Sequence, residues 1–90
     1  MLYMRIEHST GRFYTKTKHG EAELRYDIVG SVMRVYHTYV PDEERGKGIA
    51  KELTDAAFDF AKRSGMKVDP QCPYVVSYLQ KYPDRNKQRS

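Results

Sequence analysis

From Leu2 to Val40, apolar and polar side chains alternate in short runs separated by turn formers, the period of half-buried strands. Leu2 to His8 stops at Ser9-Thr10-Gly11. Arg12 to Lys16 then carries Phe13 and Thr15 on one face and Tyr14 on the other, and Lys18-His19-Gly20 supplies a turn. Ala22 to Val29 sets Ala22, Leu24, Tyr26 and Ile28 against Glu23, Arg25 and Asp27. Gly30-Ser31 leads tightly into Val32 to Val40, rich in Val, Tyr and Thr. The short turns make these strands an antiparallel four-stranded meander.

Beyond Pro41 the period changes. Asp42 to Gly48 reads as a polar, flexible link, after which Ile49, Leu53, Ala56, Ala57, Phe60 and Ala61 recur at helical steps. Lys51, Glu52, Asp55, Asp59, Lys62 and Arg63 take the other face, and Ser64-Gly65 is a natural stop. Met66 to Asp69 predicts a short strand, and Pro73 opens a second helix through Tyr82, ended by Pro83. The order predicts one compact α/β (α+β) domain over residues 1–84, without internal repeats. Residues 85–90, Arg-Asn-Lys-Gln-Arg-Ser, read as a basic, flexible, solvated tail.

Composition narrows the function classes. Ninety residues support one core, and 39% hydrophobic residues are enough to fill a small one. No apolar run approaches the roughly 20 residues that span a bilayer, and the first residues carry no secretory pattern, so a cytoplasmic protein without a membrane partner is expected. The single cysteine, Cys72, excludes an internal disulfide and a cysteine-rich zinc site. No His-x-x-His, paired cysteine or clustered carboxylates suggest a metal, so a metal-free site is expected. A formal charge of +4 favours anionic partners without naming one.

The most informative segment is Val40-Pro41-Asp42-Glu43-Glu44-Arg45-Gly46-Lys47-Gly48-Ile49-Ala50, a strand end followed by a basic glycine turn that becomes a helix. The first amides of a helix lack internal acceptors and carry the positive end of its dipole, which suits a phosphate or pyrophosphate. Gly46 and Gly48 allow close approach, and Arg45, Lys47 and Lys51 add charge. Neither the triphosphate loop Gly-x-x-x-x-Gly-Lys-Ser/Thr nor the dinucleotide pattern Gly-x-Gly-x-x-Gly is present.

Arg45-Gly46-Lys47-Gly48-Ile49-Ala50 resembles the acyl-CoA signature of the GNAT N-acetyltransferase superfamily, Gln/Arg-x-x-Gly-x-Gly/Ala. With His37-Thr38-Tyr39-Val40-Pro41 and Cys72-Pro73-Tyr74 through Tyr82-Pro83, the chain is similar to the minimal, stand-alone YjdJ-type group, a trimmed GNAT fold lacking the early helices. The resemblance implies an acetyltransferase that uses acetyl-CoA as acyl donor and an amine as acceptor. It implies the CoA pyrophosphate on the amides from Gly46 to Ala50, with Arg45 and Lys47 near its phosphates. The pantetheine arm would lie along Tyr39 and Val40, where strands splay.

Acetyl transfer to an amine needs a neutral amine, stabilisation of an oxyanion and a proton for the departing thiolate, and positioning supplies much of the rest. Three residues offer alternative roles rather than a triad. His37, late in the fourth strand and beside the expected cleft, suits a base or a hydrogen-bonded sheet residue. Tyr78 approximately matches the GNAT tyrosine that protonates the thiolate, although Gln71 stands where that motif has asparagine, and core packing is the competing reading. Cys72, before Pro73, offers a nucleophile for an acetyl-cysteine route or a small buried hydrophobe. His8 and His19, near turns, read as surface residues. Two rival functions stay open: a non-catalytic CoA-binding module, and a basic nucleic-acid-binding domain. Dispersed charges and the lack of a helix-turn-helix or RNA-recognition pattern disfavour the second, so no nucleic-acid partner is expected.

Overall fold

A computed structural model describes residues 4–90. Strands β1 (Glu7–Ser9), β2 (Arg12–Thr17), β3 (Gly20–Val29) and β4 (Val32–Tyr39) pair antiparallel in chain order. β5 (Lys67–Pro70) joins β4 in parallel and completes a five-stranded mixed sheet. Between β4 and β5 come a 3-10 turn (Asp42–Glu44) and helix α1 (Ile49–Arg63), and after β5 come α2 (Pro73–Lys81) and a second 3-10 turn (Pro83–Gln88).

The core lies between one face of the sheet and the helices. Leu24, Met33, Val35 and Val68 from the sheet meet Leu53, Ala57, Phe58 and Ala61 of α1 and Val75 and Leu79 of α2, all buried. Leu53, Ala57 and Ala61 form the i, i+4 stripe that the apolar spacing predicts, while Phe58, outside the expected set, is fully buried and Ala56 and Phe60 are only half-buried. The helix ends in a Schellman arrangement: Met66 N–H donates to Ala61 O at 2.8 Å and Gly65 N–H to Lys62 O at 3.2 Å, with Gly65 left-handed at φ 71°. Pro73 opens α2 behind an extended Cys72, where its missing N–H costs nothing.

Several expectations need adjustment. The first strand is shorter and lies later than Leu2 to His8; Leu2 falls outside the described residues, and Met4 to Ile6 lead in without strand pairing. Ile28 shares the parity of Ala22, Leu24 and Tyr26 yet is exposed, because packing on that face ends at Tyr26. The 85–90 stretch is not a free tail. Arg85 donates to Asp59, Gln88 Nε2 donates to Phe58 O at 2.8 Å, and Ser90 N–H donates to Val68 O at 2.7 Å, so the chain end lies on α1 and β5. Charge density alone hides these backbone acceptors. Among the described residues no helix is long and apolar enough to cross a membrane.

One irregularity decides which side chains reach the site. Arg25 pairs with His37, but Tyr26 pairs with Val35, so Tyr36 bulges from β4 without a partner. The bulge reverses the parity of β4. Met33 and Val35 face the core before it, Thr38 faces that side after it, and His37 and Tyr39 turn to the opposite face.

Candidate active site

Where β4 leaves β5 a slot opens. β5 pairs only as far as Val35, whose carbonyl then accepts from the amides of Gln71 at 2.9 Å and Cys72 at 3.1 Å as the chain turns into α2. The end of β4, the loop before α1 and one side of α2 enclose a groove of ≈ 700 Å³. Thr38, Tyr39 and Val40 line it from the strand, Arg45, Gly46 and Gly48 to Lys51 from the loop and α1, and Tyr74, Ser77, Tyr78 and Lys81 from α2. The α2 residues follow i, i+3, i+4, i+7, a single helical stripe turned to the groove. That stripe is visible in the sequence. Tyr74, Ser77 and Lys81 are not among the residues the sequence singles out, because an amphipathic pattern alone does not tell a groove-facing stripe from a solvent-facing one.

The loop end of the groove is rich in open donors. Among the described residues, no protein acceptor takes the amide hydrogens of Gly46, Lys47, Gly48, Ile49, Ala50 or Lys51. The preceding amides are occupied, Glu44 N–H on Pro41 O at 2.9 Å and Arg45 N–H on Asp42 O at 3.2 Å, and helical bonding starts with Glu52 N–H on Gly48 O at 3.1 Å. Gly46 and Gly48 both have φ +82°, the left-handed region that turns successive amides into a concave anion nest. A Cβ built on either would meet nothing within 4 Å, so the protein does not crowd either glycine. The arrangement fits a phosphate or pyrophosphate.

The cations are placed differently from expectation. Lys47 does not line the groove: its Nζ lies 2.9 Å from Glu44 Oε1 and borders a separate cavity against residues of the amino-terminal segment and β2. Its amide, by contrast, has no protein acceptor among the described residues. Arg45 remains exposed beside Asp42 at 3.2 Å, and Lys51 is held by Asp55 at 2.7 Å. Glu44, expected in a flexible link, is buried, and it receives His19 Nδ1 at 2.7 Å as well as Lys47. His19 is exposed, as expected of a turn residue, and it also tethers the β2–β3 turn to the loop.

These two bonds, that from His19 first, hold the Glu44 carboxyl below its ordinary pKa of 4.5. A carboxyl depressed in the folded state stabilises above its unfolded value, and that stabilisation is lost as pH falls through the folded value. Thermal stability should accordingly drop as pH is lowered below about 4.5. In Glu44→Gln the melting temperature is expected to be lower at pH 7 and its acid limb shallower. Equal acid limbs in melting curves of the two proteins would contradict the tether.

The three candidate catalytic residues are not brought together. His37, expected beside the cleft, lies on the sheet face away from α1, with Nε2 3.6 Å from Glu23 Oε2; the bulge at Tyr36 put it there. Glu23 also receives Arg25 at 2.9 Å and Arg12 at 3.1 Å. Cys72 is buried, with Sγ 3.4 Å from Thr38 Oγ1, so the thiol lies behind a groove residue. Tyr78 donates its hydroxyl to Asp55 Oδ1 at 2.5 Å, and burial together with that bond pushes the phenol well above its ordinary pKa. Gln71 bonds to Asp69 at the surface. Tyr74, half-buried in the groove, has its pKa raised chiefly by burial. Among the described residues no cluster of three His, Cys, Asp or Glu is placed to hold a metal ion.

Known proteins resemble the chain in sequence and fold. A profile of the GCN5-related N-acetyl-transferase family matches residues 12–88. Protein NATD1 of Mus musculus is 36% identical over 85 residues, covering 89% of this chain and 77% of its own length. The Danio rerio protein of that name is 33% identical over the same share of the chain. A GCN5-like protein of Staphylococcus aureus, solved in solution, superposes on all of the chain and 91% of its own with a TM-score of 0.79 at 25% identity. A trimmed mixed sheet split beside a glycine turn, matched along nearly its whole length, identifies the chain as a member of the GCN5-related N-acetyltransferase family.

Proposed function

We propose that the protein is an N-acetyltransferase that binds acetyl-CoA in the groove and passes its acetyl group directly to an amine arriving across the open face of the sheet. The observation that carries this reading is the row of unoccupied amides from Gly46 to Lys51 at one end of the groove. The pyrophosphate rests on them. Charge-assisted bonds to several fixed donors anchor the carrier strongly, and pantetheine runs between β4 and α2 past Tyr39 and Val40 towards Thr38 and Tyr74.

The thioester then lies beside the unpaired part of β4. His37 and Tyr39 flank Thr38 and project to the other face, where the helices leave the sheet open, so the amine and the acyl group approach from opposite sides of one strand. His37 takes the proton that the attacking nitrogen sheds, directly or through water. The amine attacks the thioester carbon, the carbon–sulfur bond breaks, and the thiolate leaves with its electron pair. Placing both reactants on one strand supplies a large share of the rate.

Tyr78 fits an anchoring role better than that of the acid. Each pKa unit by which a phenol exceeds the thiol makes the proton transfer about 1.4 kcal/mol less favourable, and the Tyr78 proton is already given to Asp55. Its ring sits 5.2 Å from that of Phe58, joining α2 to α1. Tyr74, beside Tyr78 on the α2 stripe, is a groove phenol without such a commitment among the described residues and suits a hydrogen bond to the carrier near its sulfur. Burial of Cys72 behind Thr38 favours direct transfer over an acetyl-cysteine.

Thiol release from acetyl-CoA across a panel of small amines, polyamines and lysine peptides tests the reading. Amine-dependent release with mass spectrometry showing an acetylated acceptor is expected. Tight acetyl-CoA binding without turnover on any acceptor would support the non-catalytic CoA-binding module instead.

A further inference from the structure

The far end of α2 has a use that the pyrophosphate does not account for. Three cations line the groove: Arg45, Lys51 and Lys81. Asp42 holds Arg45 at 3.2 Å and Asp55 holds Lys51 at 2.7 Å, whereas Lys81, the last residue of α2, makes no ion pair among the described residues and is exposed. Its position along the groove is defined by its neighbour: the Lys51 ammonium lies 5.1 Å from the centre of the Tyr82 ring, so the end of α2 stands beside the first turn of α1. Tyr74, seven residues earlier on the same stripe, is about 10 Å further along the axis, at a rise of about 1.5 Å per residue.

The groove therefore has a direction. Strand hydroxyls and Tyr74 mark one end, and the open amides with Lys81 mark the other. CoA is itself directional, running from thiol through pantetheine and pyrophosphate to a ribose that carries a separate 3′-phosphate. With the thiol end at Thr38 and Tyr74 and the pyrophosphate on Gly46 to Lys51, the ribose leaves the groove on the side of Lys81 and Tyr82. An ammonium there without a carboxylate partner meets a phosphate dianion at little desolvation cost, since both remain near water.

We propose that Lys81 recognises the 3′-phosphate of the carrier and makes the protein select CoA over 3′-dephospho-CoA. The inference rests on the groove being the CoA site. A solvent-exposed pair of this kind contributes modestly and is screened by salt, so a preference of about fivefold at low ionic strength is expected, shrinking as salt is added.

Calorimetric titration of the wild type and Lys81→Gln with CoA and with 3′-dephospho-CoA tests it. The wild type should bind CoA about fivefold more tightly, and Lys81→Gln should bind the two equally, with its dephospho-CoA affinity unchanged. Equal affinities in the wild type would overturn the assignment of Lys81 while leaving the groove as the CoA site. Equal weakening of both ligands in Lys81→Gln would also overturn it, placing Lys81 on the pyrophosphate. Binding of neither ligand to the wild type would overturn both this inference and the reading of the groove.

Discussion

Gly48→Val is expected to leave a folded protein that binds acetyl-CoA at least a hundredfold more weakly than the wild type. Gly48 holds φ +82° at the start of α1, a conformation a β-branched residue adopts only under strain of about 1–3 kcal/mol. No atom stands within 4 Å of the added Cβ, so the strain comes from the backbone and is relieved when the loop rotates. Rotation turns the donors at Lys47, Gly48 and Ile49 away from a common point. Each charge-assisted hydrogen bond contributes about 1.5–3 kcal/mol, so misaiming two of them costs about 3–6 kcal/mol, or roughly 10²- to 10⁴-fold in affinity. Gly48→Asn is the matched control, because asparagine tolerates the left-handed region, and its loss should stay within about tenfold. Calorimetry beside thermal melts separates binding from folding. Acetyl-CoA affinity within threefold of wild type in Gly48→Val would remove the amide cradle from the account.

His37→Gln should lower kcat by about 10²-fold with the acetyl-CoA affinity unchanged, the size expected when a positioned base is lost. The expectation follows from the bulge at Tyr36, which sets His37 on the open face while its neighbour Thr38 faces the groove. Glutamine keeps the size and one hydrogen-bonding atom but accepts no proton. A base role also predicts that the deficit narrows as pH rises, because the amine then loses its proton to solvent without help. Steady-state rates between pH 6.5 and about 9 give the comparison. A Gln variant with unaltered kcat, or a deficit independent of pH, would make His37 a sheet residue that only shapes the surface through Glu23.

Much of this was legible in the residue pattern. The period of two up to Val40, the period of 3.6 from Ile49 and the stops at Gly65 and Pro83 define the meander and both helices, since each reflects a local preference that the tertiary packing reinforces. The glycine turn was legible for the same reason: φ +82° at Gly46 and Gly48 is a demand that few other residues meet. The bulge was not. A bulge inserts one residue without changing composition, so Val32 to Val40 read as one uninterrupted strand and the face that His37 takes is not legible from alternation. Glu44 was hidden because it bonds to His19, twenty-five positions away in the chain, and a run of three acids looks solvated. The chain end was hidden likewise, since Gln88 and Ser90 bond to backbone atoms of Phe58 and Val68 that no periodicity reports.

Amide resonances of the labelled protein followed during addition of CoA test the central claim most directly. The account predicts that the largest shifts, with saturation at one equivalent, fall on Gly46, Lys47, Gly48, Ile49, Ala50 and Lys51 as their free N–H groups acquire phosphate acceptors. Shifts concentrated instead around Lys16 and Lys18 in the neighbouring cavity, with the 46–51 amides unmoved, would contradict it.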